Sequence, residues 1–412
     1  MKRVIGFLLL LLILTSCSNA DGETNGTDQS LQDTSWEDIK TKASETTVRL
    51  HMWGGDEGIN RYIDEWVAPR MKEQYNIHLE RTPMDTGNIL QKLYSEKQAN
   101  KQDGTIDVIW VNGENFKNAK ENNLLYGPFR NQLPNFKDYY EQDSLAFDYD
   151  FGTPTEGYEA PWGKVQFVFL YDQDKIEQPP ETFQELKTWI HNNPGEFTYP
   201  NPDDFSGNAF LRHLLYKGAE DTKTLVEEPF SKERASSAGD YMWSYLNEIK
   251  PDLWREGKHY PSSLAELDRL YSKGDVSMTM GYNEARAEHM IENNEFPDST
   301  RSFVLDEGSI GNTHFLAIPY NSPNKAGAMT LINFLLSPEA QLQKLKPTNW
   351  GDNTPISIDK LSEEDQQAFE SLNRGKSVLS NEILEESFLP EADAQYVEWI
   401  KENWKDEVIR GE

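Results

Sequence analysis

Two α/β units are predicted by the length of the chain and by the way strand and helix patterns alternate along it. The chain has 412 residues, which is long for a single hydrophobic core. Short apolar strands such as Val48–Trp53 and Ile106–Val111 alternate with stretches of helical spacing such as Ile59–Trp66. The same alternation returns after residue 160. This order is typical of parallel sheets covered by helices.

The first unit contains three predicted strands. Val48–Trp53 alternates apolar and polar residues, and Ile77–Arg81 repeats that pattern. Ile106–Val111 is apolar along most of its length, as expected of a buried strand. A short helix beginning at Ser35-Trp36 is predicted to precede these strands, with Ile39 and Ala43 on one face.

The second unit repeats the order with different residues. Thr182–Glu185 has the spacing of a capping box and predicts a helix start, and Ser263–Glu266 predicts another. Apolar stripes at Val397, Ile400, Trp404 and Val408 predict a packed C-terminal helix. The predicted strands of this half are Val165–Tyr171, Glu196–Tyr199, Asp275–Met280 and Thr313–Ile318.

Residues 1–20 have the layout of a secretory signal. A basic start is followed by an apolar run as far as Leu14, which is too short to span a bilayer as a helix. Small residues then precede Cys17, the one cysteine of the sequence, in a pattern that resembles a bacterial lipobox. The resemblance implies a signal peptide at 1–16 and a lipid on Cys17 that begins a flexible tether at 17–45; an ordinary signal peptide is the alternative.

The acidic charge narrows the possible partners. The net charge is −30, and loss of Lys2 and Arg3 with the signal leaves 38 basic and 70 acidic residues, a charge of −32. Such a surface repels phosphate backbones, so we expect no nucleic-acid partner. No second apolar run is long enough for a membrane helix. We expect a monomer held at the extracytoplasmic face of the cell membrane by its lipid alone.

Motifs that would indicate catalysis are missing from the sequence. It contains no G-x-S-x-G, H-E-x-x-H or G-x-x-x-x-G-K pattern, and no two of its seven histidines lie three or four residues apart. Acid pairs carry little information among 70 carboxylates. We therefore expect no enzyme, no cofactor and no metal.

Polar and aromatic residues follow three of the predicted strands. They are Trp53–Gly55, Asn112–Asn115 and Tyr199–Gly207. Ligands of open parallel sheets bind beyond the carboxyl ends of the strands, and glycines let a backbone approach a ligand. Turn and capping chemistry explains each segment equally well by itself. Three such segments at equivalent positions favour a binding cleft.

Longer segments resemble the extracellular solute-binding proteins of ABC importers, in the YnjB-like branch that is related to thiamine, polyamine and ferric-ion binders. The resemblance runs from about residue 36 to the C-terminus. Besides the lipobox and the Trp-Gly-Gly turn, it is carried by Asp107–Phe116, Tyr199–Phe210, Gly308–Met329, Asn333–Gln341 and Asn349–Asp352.

The resemblance implies a type II periplasmic-binding-protein fold. Two doubly wound lobes would be joined by a hinge, with the chain crossing near 161–171 and returning near 306–318. Residues 46–157 and 307–345 would form lobe one. Residues 158–306 and 346–412 would form lobe two, although the sequence leaves open that 346–412 bridges both lobes.

The resemblance also implies a lipid-anchored receptor that captures a small polar or cationic molecule between the lobes and delivers it to an ABC permease. An organic cation such as a thiamine-like molecule or a polyamine suits carboxylates beside aromatic rings; a sugar or ferric ion stays open. A secreted carbohydrate-active hydrolase with a carboxylate pair and a surface adhesin with a degenerate cleft are the alternatives. The implied contacts are Trp53, Gly54, Gly55, Asn112, Glu114, Asn115, Trp162, Tyr199, Asp204, Phe205, Gly207, Tyr282, Asn283, Asn312, Thr313 and Trp350.

Overall fold

The computed structural model describes residues 31–55 and 57–410, which form a mixed α/β molecule with two main sheets. The strands are β1 (Thr47–Met52), β2 (His78–Pro83), β3 (Val108–Val111), β4 (Leu125–Tyr126), β5 (Tyr149–Asp150), β6 (Thr153–Pro154), β7 (Glu159–Gln166), β8 (Val168–Asp172), β9 (Met278–Gly281), β10 (Thr300–Phe303), β11 (Ser309–Pro319) and β12 (Phe388–Pro390). The helices are α1 (Trp36–Ala43), α2 (Glu57–Arg61), α3 (Ala68–Tyr75), α4 (Thr86–Gln98), α5 (Glu114–Glu121), α6 (Pro134–Tyr139), α7 (Leu145–Asp148), α8 (Phe183–Asn192), α9 (Phe205–Gly218), α10 (Lys223–Glu227), α11 (Lys232–Ile249), α12 (Leu264–Lys273), α13 (Arg286–Glu292), α14 (Lys325–Leu335), α15 (Pro338–Leu345), α16 (Glu363–Glu370), α17 (Asn381–Glu386) and α18 (Gln395–Trp404).

The predicted helix starts are capped by the residues that the sequence indicates. The Ser35 hydroxyl accepts from Asp38 N at 3.2 Å at the start of α1. Thr182 Oγ1 accepts from Glu185 N at 3.2 Å before α8. Each bond satisfies one of the amides that a helix N-terminus leaves free, so the fold confirms these local predictions.

The sheet of lobe one has the expected parallel centre. Strand β1 pairs in parallel with β2 on one side and with β3 on the other. Beyond β3 lies β11, which runs antiparallel to it. Because β1 and β3 are parallel, the segments after Met52 and Val111 leave the same edge of the sheet.

Strands β7 and β11 cross between the lobes. They pair antiparallel from Gly311 opposite Gln166 to Ala317 opposite Glu159, with a bulge between His314 and Phe315. The chain passes from β7 into β8 at Phe167, which is buried in the core of lobe two. The crossing strands therefore join the two hydrophobic cores.

The sheet of lobe two differs from the predicted pattern. Strand β8 lies between β10 and β9 and pairs antiparallel with both. The predicted strand Glu196–Tyr199 is irregular, because its backbone bonds to loops: Ser277 N donates to Glu196 O at 2.8 Å, and Trp254 N donates to Phe197 O at 2.8 Å.

The C-terminal segment 346–412, for which the sequence leaves open packing on lobe two or bridging of both lobes, packs in the cores of both lobes. Ile356, Leu361 and Phe369 pack in the core of lobe one. Leu384 and the apolar face of α18 pack in the core of lobe two. Their apolar side chains are buried against different sheets, so the chain makes a third connection between residues 369 and 384.

The N-terminal boundary also differs from the predicted one. Leu31, Ile39 and Ala43 are buried in the core of lobe one, so the described end of the predicted tether is packed. Cys17 and the predicted signal peptide lie outside the described residues. None of the helices in the described part of the chain is long and apolar enough to cross a membrane.

Candidate functional site

A pocket of about 560 Å³ opens between the lobes, and we call it the interlobe pocket. Its walls come from α5 of lobe one, from the start of α9 and α18 of lobe two, and from crossing strand β11. The lining residues are Asn112, Gly113, Glu114, Lys117, Asn118, Glu121, Phe151, Phe205, Asn312, Ala394, Gln395, Val397 and Glu398.

The lobe-one wall is built on the turn from β3 into α5. Gly113 has a φ of 59°, a conformation that favours glycine. Asn112 Nδ2 donates to Asn312 Oδ1 at 3.2 Å and also to Thr313 O, which ties the turn to the crossing strand. Asn112 is thus held in place while Glu114, the first residue of α5, is exposed at the pocket.

Asp150 supports this turn from behind. Its Oδ2 accepts from Gly113 N at 2.5 Å, and the residue is 2 % exposed. Burial raises the pKa of Asp150 to about 8, although the bond from Gly113 opposes that shift. The carboxyl group is therefore protonated over much of the neutral range.

The lobe-two wall presents Phe205 at the start of α9. Its side chain is 47 % exposed, and its ring lies 4.9 Å from the ring of Tyr282. Beneath it, the buried Arg212 guanidinium bonds to Glu391, and Tyr282 Oη donates to Glu391 Oε1 at 2.6 Å. This satisfied network fixes the base on which Phe205 rests.

Asp204 has a structural role at the same helix. Its Oδ1 accepts from Ser206 N at 2.8 Å and from Gly207 N at 3.0 Å, which caps α9. Its Oδ2 accepts from Leu264 N at 2.9 Å at the start of α12. Both oxygens are therefore engaged by backbone amides of lobe two.

Negative charge predominates in the interlobe pocket. Glu114, Glu121 and Glu398 contribute three carboxylates, against one ammonium from Lys117. Glu398 is paired with Lys401 at 2.8 Å. Within residues 57–410, neither Glu114 nor Glu121 takes part in an ion pair, so both are available to a cationic solute.

Two of the predicted contacts, Trp162 and Trp350, meet Trp110 and His314 at the crossing strands, and we call these four residues the aromatic joint. The Trp162 ring lies 5.4 Å from Trp110 and 4.9 Å from Trp350, and His314 stacks on Trp350 at 5.7 Å. Lys344 Nζ lies 3.1 Å from Asp352 Oδ2 beside these rings, and both side chains are fully buried. Burial opposes ionisation of Asp352, but Lys344 and His314 hold its pKa below the usual value.

The structure brings together some of the predicted contacts and separates others. Asn112, Glu114, Phe205 and Asn312 line the interlobe pocket. Trp162 and Tyr199 are fully buried, because their rings fill the cores of lobe one and lobe two respectively. The remaining predicted contacts do not line this pocket: Trp53, Gly54, Gly55, Asn115, Asp204, Gly207, Tyr282, Asn283, Thr313 and Trp350.

Trp53 and Asn283 lie in turns outside the interlobe pocket. Trp53 is 45 % exposed at the end of β1, and its ring covers the position where Gly55 would carry a Cβ. Gly54 O accepts from Asn60 Nδ2 at 2.9 Å. Asn283 has a φ of 69° and accepts from Ala285 N at 3.0 Å through its side chain.

Sequence reasoning missed Phe151 and the contributions of α18. Lys117, Asn118 and Glu121 follow Glu114 at helical spacing, so the pattern after Asn112 could have extended the predicted wall. No comparable signal exists for Phe151, which lies in a hairpin tip. Among the described residues, no group of three or more His, Cys, Asp or Glu side chains could hold a metal ion.

Comparison with known proteins identifies the class of molecule. Residues 65–362 match the family of bacterial extracellular solute-binding proteins, and the chain belongs to that family. Protein YnjB of Escherichia coli is 39 % identical over 371 residues, which cover 90 % of this chain and 92 % of that protein. The protein is therefore a non-enzymatic, extracytoplasmic solute-binding component of an ABC transporter, as the sequence predicts.

Solved structures of low sequence identity share the fold. A solute-binding protein of Bordetella parapertussis superposes with a TM-score of 0.65 at 13 % identity, covering 88 % of this chain and 98 % of that chain. The spermidine/putrescine binding protein PotD of Streptococcus pneumoniae gives 0.62 at 16 % identity, covering 89 % and 100 %. The periplasmic-binding-protein architecture with two lobes is thus confirmed.

Proposed function

We propose that this protein is a lipid-anchored receptor that captures a small organic cation in the interlobe pocket. The single observation that carries this proposal is the composition of the pocket: three carboxylates and one ammonium surround two aromatic side chains, Phe151 and Phe205. Carboxylates attract the cation, and aromatic faces attract both its charge and its methylene groups.

The two aromatic side chains come from different lobes. Phe151 belongs to a hairpin of lobe one, and Phe205 starts a helix of lobe two. A solute that touches both would hold the lobes together, which is how a hinged receptor reports that it is loaded. The volume of about 560 Å³ suits a molecule the size of a metabolite.

A polyamine is the solute class that we favour. PotD, a structural neighbour, is described as a spermidine/putrescine binding protein, although the low identity makes that likeness a likeness of fold. An extended cation with several ammonium groups could face Glu114 and Glu121 on one wall and Glu398 on the other. Sugars and ferric ion are the alternatives that the test must separate.

The test is calorimetric titration of the purified protein with spermidine, putrescine, thiamine, a maltooligosaccharide and ferric citrate. We expect one equivalent of spermidine to bind with a Kd near the micromolar range, about −8 kcal/mol. A melting temperature that rises with spermidine would agree. Binding of the sugar or of ferric citrate with no response to any cation would overturn the proposal.

The lipid anchor is tested separately. We propose that Cys17 carries the lipid. We also propose that the protein is a monomer. The lipidated protein should then partition into detergent on phase separation, and a chain that begins at Ser18, without the signal and Cys17, should stay in the aqueous phase. Equal partitioning of both proteins would contradict the anchor and leave the solute site unaffected.

A further inference from the structure

A small hairpin of lobe one reaches both walls of the interlobe pocket. Strands β5 and β6 pair antiparallel, with Tyr149 opposite Pro154. The tip residues Phe151 and Gly152 have φ values of 45° and 75°. These positive φ values close the tight two-residue turn between the strands.

On the lobe-one side, the hairpin holds the start of α5. Asp150 Oδ2 accepts from Gly113 N at 2.5 Å. A Cβ added to Gly113 would lie 3.3 Å from the Phe151 ring, so the turn and the hairpin are in close contact. Asn112 and Glu114 flank this glycine, and the hairpin therefore sets where both enter the pocket.

On the lobe-two side, the same tip abuts the start of α18. Phe151 O accepts from Ala394 N at 3.3 Å. A Cβ added to Gly152 would lie 2.7 Å from Asp393 Cα, which is closer than real contacts allow. Asp393 N in turn donates to Leu225 O at 3.0 Å, which anchors the segment in lobe two.

We propose that this hairpin couples the two walls of the interlobe pocket, with Asp150 as a positioning residue that touches no solute. A displacement of α5 is passed through Asp150 and the hairpin tip to the start of α18, and the reverse displacement follows the same contacts. The role of the pocket in solute capture rests on the proposed function, whereas the coupling is a property of the protein by itself.

The test measures amide hydrogen exchange without solute, so it does not depend on the identity of the ligand. Asp150→Ala removes the acceptor for Gly113 N. We expect the amide of Gly113 and also that of Ala394, across the lobes, to exchange at least about tenfold faster. Asp150→Asn keeps an acceptor oxygen and should restore slow exchange at both amides. Asp148→Ala, which removes a half-exposed partner of Arg130, is the matched control.

A second variant, Gly152→Ala, perturbs the contact of the hairpin tip with lobe two. Gly152→Ala forces the tip away from Asp393 and should accelerate exchange at Ala394 and also at Gly113. Gly195→Ala is its control, because Gly195 has a φ of 88° and no heavy atom within 4 Å of an added Cβ. If each variant changes only the amide on its own side, the coupling is overturned. Should Asp150→Ala fail to fold, Gly152→Ala decides the outcome.

A final arm separates this proposal from the proposed function. Spermidine affinity of Asp150→Ala should fall about tenfold and should recover in Asp150→Asn. If the unmutated protein binds neither spermidine nor putrescine nor thiamine, the proposed function fails while the exchange result stands. If spermidine binds equally well to all variants whose exchange has changed, the hairpin does not position the pocket.

Discussion

The interlobe pocket and the aromatic joint are both rich in aromatic and charged residues, yet they differ in what their polar groups contact. Beside the rings of the joint, Lys344 and Asp352 are fully buried and pair with each other. In the pocket, Glu114 is exposed and Phe205 is 47 % exposed. Charges that already satisfy one another stabilise a fixed structure, whereas accessible ones can bind a solute. This difference supports our proposal that the solute binds in the interlobe pocket and not in the aromatic joint.

The largest expected effect is a loss of stability caused by a substitution beside the aromatic joint. Asp352→Ala leaves the Lys344 ammonium buried beside Trp350 without its carboxylate. We expect a loss of about 3–5 kcal/mol in the free energy of unfolding, because an uncompensated charge stays out of water. Urea unfolding measures this loss, and Arg410→Ala, at an exposed pair with Asp406, should change little. A stable Asp352→Ala protein that no longer binds spermidine would move the site to the joint.

A smaller effect concerns the contact between α9 and crossing strand β11. His213 Nδ1 bonds to Ala209 O at 2.7 Å, and its Nε2 accepts from Ile310 N at 2.8 Å. This arrangement requires the neutral ring, and burial lowers the pKa of His213 to about 3.

The unfolded chain binds a proton at this histidine near pH 6.5, so the folded state binds fewer protons below that value. The stability that His213 contributes is complete above pH 6.5 and is lost as the pH falls toward 3, with roughly 3 kcal/mol of it lost by pH 4. Urea unfolding at pH 7, 5 and 4 should show a steeper decline for the parent than for His213→Gln. His191→Gln, at a half-exposed histidine, is the control. Parallel profiles for parent and His213→Gln would contradict this assignment.

How much of the fold could be predicted from the sequence depends on how far apart along the chain the contacting residues lie. Local patterns predicted the helix starts at Ser35 and Thr182 and the strands of lobe one, because neighbouring residues set caps and alternation. The antiparallel pairing of β8 depends on partners more than 100 residues away, and the pattern of one strand carries no sign of its partner's direction.

In the interlobe pocket, too, residues placed by local sequence could be predicted and residues placed by tertiary packing could not. Asn112, Glu114 and Phe205 could be predicted because they directly follow strand ends or begin helices. Phe151 and Glu398 could not, because tertiary packing alone brings the hairpin tip to α18. The family resemblance implies Trp162 and Tyr199 as contacts, yet both are buried, because an aromatic ring suits a core as well as a cleft.

Two aromatic side chains of nearly equal exposure, one inside the interlobe pocket and one outside it, test where the solute binds. Phe205 is 47 % exposed within the interlobe pocket, and Trp53 is 45 % exposed outside it. Phe205→Ala should weaken spermidine binding by about 1–2 kcal/mol, because a desolvated cation–π contact is lost. Trp53→Ala should leave the calorimetric Kd within error. The opposite order would place the solute at the end of β1.

The smallest effect concerns the charge of the pocket wall. Glu121→Gln removes one carboxylate and keeps the shape of the side chain, so spermidine binding should weaken by about 0.5–1 kcal/mol at low salt. Titrations at 50 and 300 mM salt should show this difference shrink as screening increases. Glu402→Gln alters an exposed residue of α18 outside the pocket and serves as the control. Equal affinities for both variants and the parent would remove Glu121 from the site.

A crystal structure of the protein grown with spermidine tests the central assignment most directly. We expect one solute between Phe151 and Phe205, with its ammonium groups facing Glu114, Glu121 or Glu398. Density for the solute beside Trp350 and His314 in the aromatic joint, or at Trp53, would contradict it.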